Sequence, residues 1–139
     1  MSASARWYLP LVAAVGTGCI ASAAPNPEDF VSGVVEGQVT RGDGSPVGGP
    51  LVLVSLLSAP QGGQVFLLAQ TQLLATDQGR FQATFLVEAD PQTATTAIHV
   101  ERPIASGLRS LDTTGIAVNL GRPFPPRDTT FVQLTLRPQ

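Results

Sequence analysis

The chain has 139 residues, 8 basic and 10 acidic side chains and a formal net charge of −2. Every basic residue is Arg, which excludes Schiff-base lysine chemistry, a P-loop lysine and a lysine isopeptide crosslink, and dispersed, mildly acidic charge does not attract nucleic acid. A single Cys allows no disulfide within the chain, so one apolar core must hold what is, by length, one domain.

Residues 1–23 have the layout of a secretory signal: one positive charge, Arg6, then the apolar run from Trp7 to Val15, then small residues. The run is shorter than the roughly 20 apolar residues that span a bilayer, and Pro10 interrupts it. Two endings compete. Ala21-Ser22-Ala23 supplies the small residues a signal peptidase accepts, which starts the mature chain at Ala24 and discards Cys19. Alternatively, Val15-Gly16-Thr17-Gly18-Cys19 resembles a bacterial lipoprotein signal, which implies lipidation of Cys19 and membrane anchorage, although Gly16 stands where that signal usually has a Leu-like residue. The second ending also accounts for the position of the only Cys. In either case residues 24–33 read as a flexible tether, and 34–139 as the folded domain.

The first strand is expected from Val34, with Val35, Gly37 and Val39 on one face, and it ends in the turn Arg41-Gly42-Asp43-Gly44-Ser45-Pro46. Arg41-Gly42-Asp43 is an adhesion tripeptide in some animal ligands, but Gly-Asp-Gly is what a hairpin turn requires. Leu51 to Leu57 is apolar on both faces and predicts the most buried, central strand. Gln64 to Leu68 and Thr71 to Ala75 are apolar stretches without a fixed register. After the turn Thr76-Asp77-Gln78-Gly79, Arg80 to Val87 alternates with Phe81, Ala83, Phe85 and Val87 inward.

Ala97 to Glu101 places Ile98 and Val100 inward and His99 and Glu101 outward, and Pro103 stops the strand. Ile104 to Gly115 reads as a loop and Ile116 to Leu120 as a short strand. Pro123-Phe124-Pro125-Pro126 forbids regular pairing and reads as edge protection, and Val132, Leu134 and Leu136 alternate as a last strand. No stretch has helical spacing. About seven short strands predict an all-β, antiparallel two-sheet sandwich of the prealbumin or immunoglobulin-like kind.

Three segments carry a resemblance. Val35-Glu36-Gly37-Gln38-Val39, then Gly44-Ser45-Pro46-Val47-Gly48-Gly49-Pro50-Leu51-Val52, then Thr76-Asp77-Gln78-Gly79-Arg80-Phe81 together resemble the carboxypeptidase regulatory-like domains. The resemblance covers most of 34–102 and departs at Pro50, where Ala is usual, and at a turn one residue short. It implies a transthyretin-like sandwich used as a module of secreted and outer-membrane proteins, and it speaks to fold far more than to activity.

Related folds also host enzymes. Intradiol dioxygenases hold iron with two Tyr and two His, whereas this chain has only Tyr8, in the signal, and His99. The urate-pathway hydrolases use several His and end Tyr-Arg-Gly-Ser, whereas this chain ends Leu136-Arg137-Pro138-Gln139. A zinc carboxypeptidase shell needs two His. Asp43, Asp77 and Asp90 lack the spacing of a calcium loop. The expectation is therefore a module that is not an enzyme, with no cofactor or metal, that binds an envelope protein or glycan or serves a structural role. One alternative is a periplasmic carrier of a small apolar ligand held near Phe81 and Phe85. A second is a hydrolase using His99.

Mass spectrometry of the mature N-terminus decides the ending of the signal. A lipid-modified Cys19 is expected, and an unmodified chain starting at Ala24 overturns lipidation while leaving export intact.

Overall fold

A computed structural model of the protein describes residues 30–60, 62–88, 93–121 and 129–139. Seven strands form two sheets: β1 (Phe30–Arg41), β2 (Leu51–Leu57), β3 (Leu67–Leu74), β4 (Arg80–Glu88), β5 (Thr93–Glu101), β6 (Leu111–Asn119) and β7 (Thr129–Leu136). One sheet has the order β4-β1-β7 and the other β3-β2-β5-β6. The expected all-β sandwich is therefore what the chain forms.

The clean alternations become strands with the expected faces. In β4 every second residue is buried, with Phe81, Ala83, Phe85 and Val87 between the sheets. β2 lies inside its sheet, flanked by β3 and β5; Val52, Val54 and Leu56 are fully buried and its alternate residues half-buried. From β5, Ile98 and Val100 join the same core, as do Leu134 and Leu136 from β7. The turn at 76–79 closes through Gly79 N to Thr76 O at 2.8 Å and docks on β1, where Val39 N donates to Gly79 O at 2.8 Å.

Four expectations need correction. The first strand starts at Phe30, not Val34, because β4 extends to Glu88 and offers backbone partners to Phe30 through Gly33, so the end of the expected tether is part of the sheet. The two stretches around Thr71 form the single strand β3, whose alternation is hidden by a register shift opposite Leu56 and Leu57. Leu111 to Gly115, read as loop, is the first half of β6; it pairs with β5, but a register shift and the positive φ of Gly115 break its period. Finally, the sandwich is not wholly antiparallel, since β7 runs parallel to β1 from Val34↔Thr129 to Arg41↔Leu136. A parallel neighbour is possible because β7 reaches β1 by a long crossover from the opposite sheet. Cys19 and Pro123 to Pro126 lie outside the described residues.

Phe81 and Phe85 belong to the contiguous buried core between the sheets. Phe85→Ala is expected to cost about 3–5 kcal/mol, a large share of a domain's total stability. Gly79→Ala is expected to destabilise as well, since φ is +74° and a Cβ would meet the carbonyl oxygens of Val39 and Val47. Denaturant melts of both variants check this; a Phe85→Ala protein as stable as wild type would overturn the core assignment.

Candidate functional site

Two polar constellations stand on opposite outer faces of the sandwich. The first surrounds His99 on β5. The pleat turns His99 away from the core, as expected, while Ile98 and Val100 point in. The ring is not solitary, however. Cross-strand pairing puts Asp112 of β6 directly opposite, at 2.6 Å from Nδ1, and Glu101, two residues along the same face, lies 3.1 Å from Nε2. Ser110 Oγ donates to the second Glu101 oxygen at 3.1 Å and accepts from Arg102 N at 3.1 Å.

This arrangement favours the imidazolium, which donates one N–H to each carboxylate. Hydrogen bonding to Glu101 and then to Asp112 raises the His99 pKa above its ordinary value, with slight burial opposing. The same contacts, with His99 first and Ser110 second, lower that of Glu101. Hydrolysis through His99 would need a hydroxyl held by a ring nitrogen. Here Ser110 is turned to Glu101, and both ring nitrogens already face carboxylates. The cluster is a charged clasp between β5 and β6.

The second constellation is an open groove of about 690 Å³ on the outer face of the three-stranded sheet. Because Val35, Gly37 and Val39 face inward, Glu36 and Gln38 face out, and their neighbours on β4 and β7 do the same. Two rows result across the three strands: Gln82, Glu36 and Phe131 in one, Arg80, Gln38 and Gln133 in the next. Phe131 is 76% exposed. Gln38 donates from Nε2 to Gln78 O at 3.1 Å. Among the described residues, no hydrogen bond or ion pair engages the side chains of Glu36, Arg80, Gln82 or Gln133. Sequence reading missed this site because its members belong to three strands distant in the chain; the one available signal was Phe131 out of phase with Val132, Leu134 and Leu136.

The remaining singled-out residues are turn residues. Asp43 Oδ1 accepts from Ser45 N at 2.9 Å and Ser45 Oγ at 2.6 Å, which closes the Arg41-Gly42-Asp43 turn and lowers the Asp43 pKa. Asp77 lies in the turn before β4, and Asp90 lies outside the described residues. No group of three or more His, Cys, Asp or Glu among the described residues is placed to hold a metal ion.

The His99 clasp makes stability depend on pH with a definite sign. A raised folded pKa means that the clasp contributes fully below the unfolded value of 6.5 and is lost as pH rises through the folded value. The lowered pKa of Glu101 means that its share is lost as pH falls through its own folded value. Wild type is therefore expected to lose stability relative to His99→Gln between about pH 6 and pH 8, the range in which histidine titrates. Thermal melts of the two proteins across that interval check this, and a constant difference would show that the clasp contributes nothing.

No family model matches the chain, and no curated protein is similar to it. Among solved structures, it is similar to 3-chlorocatechol 1,2-dioxygenase from Rhodococcus opacus 1CP, with a TM-score of 0.51 and 16% identity over 78% of this chain and 60% of that one. It is also similar to hydroxyquinol 1,2-dioxygenase from Pseudomonas putida DLL-E4, with a TM-score of 0.52 and 12% identity over 78% of this chain and 57% of that one. The chain thus spans less than two thirds of the length of either, and at this identity the likeness is one of fold. It nevertheless corrects the expectation that the chain is not an enzyme. Both proteins sharing the sandwich are enzymes, so the architecture gives no ground for that assignment.

Proposed function

We propose that the chain is an exported β-sandwich module, held at the cell envelope through Cys19, that binds glycan on the outer face of its three-stranded sheet. The groove built from Gln82, Glu36 and Phe131 beside Arg80, Gln38 and Gln133 carries this reading. A sugar ring has an apolar C–H face and a rim of hydroxyls. The exposed Phe131 ring suits the first, because it offers a flat apolar surface at little conformational cost. The unpartnered Glu36 carboxylate, Arg80 guanidinium and Gln82 and Gln133 amides suit the second, since together they present donors and acceptors at the spacing of adjacent strands. A module of secreted or envelope proteins is also what the resemblance to carboxypeptidase regulatory-like domains implies.

Binding of envelope polysaccharide and a panel of neutral oligosaccharides, followed by calorimetry and pull-down, tests the proposal. Phe131→Ala is expected to weaken binding about tenfold, the equivalent of losing one aromatic stacking contact, without lowering the melting temperature. Absence of binding to every glycan tested, or affinity unchanged in Phe131→Ala, rejects it.

A further inference from the structure

The four-stranded sheet ends at β3, whose outer edge pairs with no other strand among the described residues. Such an edge is usually guarded by charge, proline or a bulge that twists it away. β3 reads Leu-Leu-Ala-Gln-Thr-Gln-Leu-Leu, with neither charge nor proline, and its register shift is confined to the Leu67 end. By contrast, the edge strand β4 carries Arg80 and Glu88, and the edge strand β6 carries Asp112 and the positive-φ Gly115.

The exposed apolar side chains of this edge lie at its two ends. Val65, Phe66 and Leu67 are 50–58% exposed at one end, and Leu74 is 70% exposed at the other. Leu67 and Leu74 share the outer face, because they pair with Leu57 and Leu51, which alternate with the buried Val52, Val54 and Leu56. The register shift near Leu67 is what brings them into phase. Gln70 and Gln72 lie between them on that face, opposite Ser55 and Leu53.

We infer that β3 is a homodimerisation edge, pairing antiparallel with β3 of a second copy to form one continuous eight-stranded sheet. A two-fold axis normal to the sheet and midway between the two copies of Thr71 sets Gln70 of each chain beside Gln72 of the other. Leu67 of each chain then meets Leu74 of the other, so these two exposed leucines are covered by one symmetric contact. The unpaired backbone groups of the edge find partners in the same step. The edge strand β7 is also uncharged, but Phe131 is its single large exposed apolar residue, with none at the other end to meet it.

Sedimentation equilibrium of the purified full chain over a concentration series tests the inference. Wild type is expected to reach the mass of two chains. Leu67→Lys with Leu74→Lys places like charges together at both ends of the contact and is expected to give the mass of one chain. Leu67→Lys with Leu74→Glu places opposite charges together at both ends and is expected to keep the dimer. Both double variants alter exposed side chains, and unchanged melting of the monomeric variant shows that the loss is one of association. A wild type that stays monomeric at high concentration, or two double variants with the same association state, overturns the inference.

Discussion

The close passage of β1 through the three-stranded sheet is the constraint on which the rest of the sandwich depends. Its inward positions read Val31, Gly33, Val35, Gly37 and Val39, and the two glycines are not interchangeable with anything larger. A Cβ at Gly37 would collide with the Phe81 ring and with Val132, and one at Gly33 would meet Leu120 at 2.9 Å. Those missing side chains let Phe81 from β4 and Val132 from β7 lean across β1 from both sides. With no disulfide available, this interdigitation and the packing of β2 and β5 above it hold the fold.

The same passage decides where chemistry can sit. By committing the odd residues of β1 to the core, it sends Glu36 and Gln38 outward between two neighbouring strands, and the groove follows from pairing. The opposite sheet has a different outer face: half-buried leucines of β2 in its middle, the His99 clasp toward β6 and the apolar edge of β3.

Likeness to two dioxygenases at 12% and 16% identity is a likeness of fold, and a fold does not by itself fix chemistry. Activity belongs to particular side chains placed on the fold. In this chain, the described side chains on the sheet faces include an imidazole held by two carboxylates and, on the other sheet, amides and a guanidinium beside an unpartnered acid and an exposed ring.

What the amino-acid order determines by itself is the local pleat. Wherever a strand has one buried face, alternation names both the strand and its inward residues, as with Phe81 to Val87, Ile98 to Val100 and Val132 to Leu136. Turns were equally legible at Asp43 and Gly79, because their backbone conformations require particular residues. Tertiary structure alone decided which strands became neighbours: the parallel pairing of β7 with β1, the union of two stretches into β3, and the recruitment of Leu111 to Gly115 into β6. The edge strands β3 and β6 carry register shifts that reset their period, so they leave no continuous alternation to read. The Asp112 partner of His99 and the rows around Glu36 were hidden as well, because they are contacts between strands, fixed by pairing register and not by local spacing.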